Sequence, residues 1–238
     1  MSSMITTRIC TLAVGVVSLT GIAQGSPANL IANGGFESGN NGFSTSLKPT
    51  PYDANVLTAP GTYGIYEPGR TNWHNSWNEP TPSEGNRYMI INAAAPVNNI
   101  LQPVDYLFDW KQDHNLLAGE YEFLFDAITI YKPVTILNTM VVGDDIYMNF
   151  TISTPTPDSG NGPTSWQTHS TTFYLPSNQN VKLTIKNTSL KYTGDDYGLD
   201  NIRLYAIPLP APAWAGMSTL AGMGGLAFLR RRKAQQAV

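Results

Sequence analysis

The sequence is short of charge, of cysteine and of histidine. Charged residues make up 13% of its 238 residues, about half the usual share of a soluble domain. That scarcity excludes a coiled coil, a charged helical bundle and a charge-rich disordered chain. The single cysteine, Cys10, precedes an apolar run, and the chain beyond it has no thiol. A disulfide framework and cysteine-ligated zinc are therefore excluded, and an oxidising compartment is tolerated. The three histidines, His74, His114 and His169, are scattered, and no HExxH or GxSxG motif occurs. No assembled set of catalytic roles is legible, so the chain is expected not to be an enzyme.

Basic residues are scarce in the middle of the chain. All 17 acidic residues lie between Glu37 and Asp200, whereas five of the 14 basic ones lie at the ends: Arg8, Arg230, Arg231, Arg232 and Lys233. The stretch between carries nine basic against 17 acidic side chains, a net of −8. A surface this acidic repels phosphates, so no nucleic-acid partner is expected. It suits divalent cations.

The two ends read as addresses. Arg8, the apolar run Thr11–Ala23 and the small residues of Ala23-Gln24-Gly25 form the three parts of a secretory signal peptide, which places residues 1–25 outside the mature chain. At the other end, Ile207-Pro208-Leu209-Pro210-Ala211-Pro212 breaks any regular structure. An uncharged apolar run over 213–229 and the basic cluster Arg230-Arg231-Arg232-Lys233 follow. Seventeen apolar residues are at the lower limit for one transmembrane helix, and the basic cluster would hold the tail in the cytoplasm with the domain outside. The segment 207–238 resembles the PEP-CTERM sorting signals of bacteria, in the variant that opens VPLPAP, with Ile207 where that variant has Val. The resemblance implies a sorting role for Pro208, Pro210, Pro212 and Arg230–Arg232. It also implies handling by an exosortase-type membrane transpeptidase in exopolysaccharide producers. Export is then expected, with the chain held in the inner membrane by its tail before processing and afterwards at the cell surface or in the extracellular matrix.

Residues 26–206 read as one all-β domain, an antiparallel β-sandwich. Tyr121, Phe123, Phe125 and Ala127 alternate with Glu122, Leu124 and Asp126; Ile146, Met148, Phe150 and Ile152 alternate with polar residues; so do Val181, Leu183 and Ile185. Period 2 buries one face and solvates the other. Shorter strands are expected at Tyr63–Tyr66, Arg87–Asn92, Asn98–Leu101, Thr168–Leu175 and Leu199–Tyr205, divided by turn clusters rich in Gly, Pro, Asn and Asp.

The opening Asn29-Leu30-Ile31-Ala32-Asn33-Gly34-Gly35-Phe36-Glu37 resembles the NLIxNGGFE start of galactose-binding-like jelly rolls, a group that includes many carbohydrate-binding modules. Leu199-Asp200-Asn201-Ile202-Arg203-Leu204 is similar to that group's last strand. The resemblance implies first and last strands side by side and a structural calcium site. Gly35, Glu37 and Asp200 hold the matching positions, with Glu84 and the carbonyl of Arg87 as further ligands. Calcium takes six to eight hard oxygens, and two carboxylates brought together without a cation would repel.

A second candidate site is aromatic. Trp73 and Trp77 stand four apart in Thr71-Asn72-Trp73-His74-Asn75-Ser76-Trp77-Asn78. Indole faces stack on the C–H faces of sugars while His74 and the asparagines take hydroxyls. Two functions compete: a calcium-stabilised module that binds an extracellular polysaccharide, and a structural or adhesive surface protein without a defined small ligand. Exposed rings at Trp73 and Trp77 favour the first, buried rings the second.

Overall fold

The computed structural model describes residues 27–51, 56–70, 72–93, 108–132, 135–154, 165–188 and 194–208. Ten strands run in chain order: β1 Lys48–Pro49, β2 Thr62–Tyr66, β3 Tyr88–Asn92, β4 Trp110–Leu116, β5 Gly119–Tyr131, β6 Ile136–Val142, β7 Tyr147–Ser153, β8 Gln167–Leu175, β9 Gln179–Asn187 and β10 Asp196–Ile207. They form a six-stranded sheet, β1-β2-β3-β10-β5-β8, and a four-stranded sheet, β4-β9-β6-β7. Every pairing is antiparallel except the two-residue contact of β1 with β2. The all-β sandwich expected from alternation is the architecture found. The signal peptide, residues 209–238 of the tail and the strand expected at Asn98–Leu101 lie outside the described residues. Among the described residues no helix is long and apolar enough to cross a membrane.

The core lies between the sheets. Phe123, Phe125 and Ala127 of β5 meet Val181, Leu183 and Ile185 of β9, all fully buried. Two strands were not legible as alternating segments. In β4 the inward side is carried by Trp110, Gln112 and Leu116, so one of three core positions is polar. Gln112 keeps its place by donating to the carbonyls of Ala32 and Gly42, both at 2.6 Å, and by accepting from the Ala32 amide. In β6 the polar pair Asn138-Thr139 stands between the apolar Ile136-Leu137 and Met140-Val141-Val142, so no period of two shows.

A second hydrophobic layer covers the outer face of the six-stranded sheet. Tyr88 and Ile90 of β3 and Ile128 and Ile130 of β5 point away from the main core into a cluster with Leu57, Tyr66, Trp73 and Trp77. That is why all five residues of β3 are buried: a strand covered on both faces reads as a continuous apolar run. The segments around 56–61 and 72–87 form this lid.

A bulge in β10 sets the geometry at its far end. The pairing with β5 runs through Asp200 opposite Asp126 and resumes at Arg203 opposite Leu124, so two residues stand against one. Asn201 takes φ 49° there. The extra residue shifts the inward parity from Tyr197 and Leu199 to Ile202 and Leu204. Residues 31–35 form turns and not the expected first strand, yet this segment does lie against β10. Leu30 donates to the Leu204 carbonyl at 2.9 Å and Ile202 to the Gly34 carbonyl at 3.0 Å. Gly34 is required by closeness, since a Cβ there would stand 1.9 Å from the Ile202 carbonyl oxygen.

Candidate functional site

The turn that carries the two tryptophans is held by Glu79, whose carboxylate accepts from the amides of Asn72 at 3.1 Å and Trp73 at 2.7 Å. It sends the two indoles to different places. Trp73, 1% exposed, fills the lid layer with its six-membered ring over Gly64. It offers no face to a ligand. Trp77 is 6% exposed and stands at the edge of that layer, where it borders a cavity of about 360 Å³. His74 lines the same cavity and stacks on Trp77, with ring centroids 4.9 Å apart at 25°. Of the three aromatic-site residues, the structure brings His74 and Trp77 together at a cavity and sends Trp73 into the core.

The cavity wall also includes Thr58, Asn92, Tyr131 and Asp196, from four other parts of the chain. Asp196 opens β10 beside the end of β3. Its carboxylate accepts from Trp77 Nε1 at 3.1 Å and from the Ala93 amide at 3.0 Å. Burial pushes its pKa up to about 7, against the pull of those two donors. The Nδ1 of His74 accepts from the Ser76 amide at 3.1 Å, which leaves the ring proton on Nε2. Burial lowers the pKa of His74, so the ring is neutral at neutral pH. The arrangement offers an indole, a carboxylate, an amide and a neutral imidazole around a space at the small end of ligand pockets.

The chain has no match among known family sequence models or curated proteins. Solved structures similar to it include a family 61 carbohydrate-binding module in complex with β-1,4-galactotriose, at 13% identity over 76% of this chain and 99% of that one, TM-score 0.42. A family 16 carbohydrate-binding module is 15% identical over 74% of this chain and 99% of that one, TM-score 0.41. A cyclase from Fischerella sp. TAU in complex with 4-(1H-indol-3-yl)butan-2-one is 15% identical over 76% of this chain and 98% of that one, TM-score 0.48. Identities this low assign no ligand to this chain.

The second candidate site lies at the β10 bulge. A Cβ built on Gly35 would stand 3.9 Å from Asp200 Oδ1 and 4.0 Å from the Glu37 Cγ, so Gly35 lies beside both side chains. Asp200 is fully buried, and burial raises its pKa to about 7 although four donors offset the cost. Those donors are the amides of Ser83, Glu84 and Asn201 and the Ser83 hydroxyl. One oxygen of Glu37 accepts from the amides of Asn86 and Arg87 at 2.6 and 3.0 Å, in a cradle left open by Gly85. Glu84 and Arg87 thus reach the site through backbone N–H groups. The Glu84 side chain is exposed, and the Arg87 guanidinium pairs with Glu67 at 2.9 Å. Among the described residues no three His, Cys, Asp or Glu side chains gather as a metal-binding group. A cation here needs backbone carbonyls beside Glu37 and Asp200, which calcium accepts.

Sequence reading missed Asp196, Asn92 and Tyr131 at the cavity and Asp126 at the bulge. Asp126 is buried opposite Asp200, with Ser83 Oγ 2.8 Å from the first and 3.0 Å from the second. Asp195-Asp196 looked like turn residues, since Asp is common in turns on conformational grounds alone. The signal that would have found Asp196 is its place one residue ahead of an apolar strand.

Proposed function

We propose that this chain is an exported, non-catalytic protein of the bacterial cell surface or extracellular matrix whose sandwich domain binds a glycan. The observation that carries the reading is the cavity at which His74 and Trp77 stack beside Asp196. Sugars need an apolar ring edge and a few fixed polar groups, and this wall supplies both. Export through the signal peptide over 1–25 and sorting of 207–238 by an exosortase-type transpeptidase are supported by the order of motifs in the sequence.

The test is a glycan array with the full chain, purified in mild detergent. His74→Ala is expected to weaken binding by about 1–3 kcal/mol, the range of an interface anchor, while the melting temperature moves little because His74 is only half-buried. An array that stays blank, or binding indifferent to His74→Ala, defeats this assignment.

We further propose that Gly35, Glu37 and Asp200 hold a structural calcium ion. When bound, it would supply positive charge between two carboxylates, one of them fully buried. An ion bound only by the folded state, with an affinity near 0.1–1 mM, stabilises by on the order of 1 kcal/mol at ~2 mM. Chelation is then expected to lower the melting temperature by about 2–4 °C, and Asp200→Ala to abolish that response. A melting curve indifferent to chelator removes the site.

The alternative is a structural or adhesive surface protein with no defined small ligand. The burial of Trp73 and Trp77 favours it, because neither indole presents an open stacking face.

A further inference from the structure

We propose that the cavity beside Trp77 admits a neutral sugar, whose hydroxyls donate to Asp196, and excludes sugars that carry a carboxylate. This rests on the glycan-binding reading above and narrows it.

The chemistry of the wall is one-sided. Among the described residues no Lys or Arg lines the cavity, and Asp196 is the one acidic residue that does. Each oxygen of that carboxylate already accepts one protein donor, Ala93 N on Oδ1 and Trp77 Nε1 on Oδ2. A carboxylate oxygen has a second acceptor position, so what Asp196 can still take is a hydroxyl proton. A sugar hydroxyl supplies one, in a charge-assisted hydrogen bond. A uronate carboxylate only accepts, and would set a second negative charge against the first.

The surroundings add to this bias. Asp195 precedes Asp196 and is fully buried. Its charge opposes ionisation of both Asp196 and Asp109. The other titratable groups that face Asp196 across the cavity are His74, from the 72–79 turn, and Tyr131, from the end of β5. His74 is neutral because burial lowers its pKa, so it supplies an N–H but no positive charge. The space of about 360 Å³ fits one or two sugar rings, as the lower end of ligand pockets does.

The experiment is calorimetric titration of the full chain at pH 8, where Asp196 is ionised. The probes are pairs that differ only at C6: α-1,4-galactotriose against α-1,4-trigalacturonate, β-1,4-mannotriose against β-1,4-trimannuronate, and cellotriose against its C6-oxidised counterpart. At least one neutral trisaccharide is expected to bind, and its acidic twin at least roughly tenfold more weakly, because a like-charge contact costs that much or more. Asp196→Asn is expected to bring the pair within about threefold. If that variant does not fold, the wild-type ratio at pH 6 replaces it: protonation of Asp196 should narrow the ratio relative to pH 8. Equal binding of both members of a pair, lost together in His74→Ala, overturns the charge selection and leaves the glycan-binding reading intact. A ratio that Asp196→Asn or pH 6 leaves unchanged overturns it as well. Binding of no trisaccharide defeats the glycan-binding reading, and the selection falls with it.

Discussion

The melting temperature of this domain should rise as the pH is lowered from 8 to 6. Asp109 and Asp196 are buried, and burial raises their pKa values from the ordinary 3.8 to about 6 and about 7. Asp109 accepts from the Asn187 amide at 2.5 Å and from the Tyr197 hydroxyl, but neither donor offsets its desolvation. A carboxylate with a raised folded pKa binds its proton more tightly in the native state. The stability that it contributes is complete below 3.8 and is lost as pH climbs through 6 and 7. Each pKa unit corresponds to about 1.4 kcal/mol, which makes the full penalty at alkaline pH on the order of 3 kcal/mol for Asp109 alone. The histidines work the other way. Burial lowers the pKa of His74, His114 and His169, so they withdraw stability only as pH falls below the unfolded value near 6.5. Below about pH 6.5 the two trends oppose each other, so the rise is steepest above that pH. Asp200 adds to the carboxylate trend whenever no cation stands beside it. Thermal melts at pH 8, 7 and 6 measure the slope, and Asp109→Asn and Asp196→Asn should each flatten it. A melting temperature that stays level or falls between pH 8 and pH 6 contradicts the assignment.

The same residues explain what the sequence did and did not disclose. Strands β7 and β9, and β5 over its first half, alternate because each has one covered face there, and they were legible to within a few residues. β3 was located although it does not alternate, since Tyr88–Asn92 is a short apolar run between turn signals. β4 was opaque because its inward Gln112 is satisfied by carbonyls 70 and 80 positions away. No local pattern reports a partner at that distance. The bulge at Asn201 was hidden for a related reason: parity along β10 changes where two residues face one, and only the register with β5 reveals it. The grouping of Gly35, Glu37 and Asp200 came from resemblance in short motifs; Gly35 does lie beside Asp200, through a turn and not through paired strands. At the cavity the structure separates the two rings that the sequence paired: Trp73 lies in the lid layer and Trp77 at its edge. Trp73 and Trp77 are four positions apart, but what each touches is decided by Gly64 and Asp196, from β2 and β10.

Trp73→Ala should cost this domain about 3–5 kcal/mol of stability, the range for a buried large aromatic truncated to alanine. The ring is 1% exposed and packs in the lid layer with Leu57, Tyr88 and Ile128. Its backbone is fixed on both sides, by Glu79 at the amide and by the Leu57 amide, which donates to the Trp73 carbonyl at 3.0 Å. The loop is therefore held in place and cannot collapse fully into the void. Gly64 gives an independent check. A Cβ there would stand 2.4 Å from Cζ3 and 2.6 Å from Cη2 of Trp73, so Gly64→Ala alone forces the ring or the lid outward and destabilises by roughly 1–3 kcal/mol, as overpacking does. In the double variant the new methyl occupies space that the indole has vacated. The combined loss should then be smaller than the sum of the two single losses, a coupling expected only for side chains in contact. Denaturant unfolding of the four chains, with glycan binding measured on each, separates the two roles open to this tryptophan. A Trp73→Ala chain as stable as the wild type but unable to bind would make the ring a ligand platform. A chain that loses stability yet keeps its affinity per folded molecule leaves recognition to His74, Trp77 and Asp196.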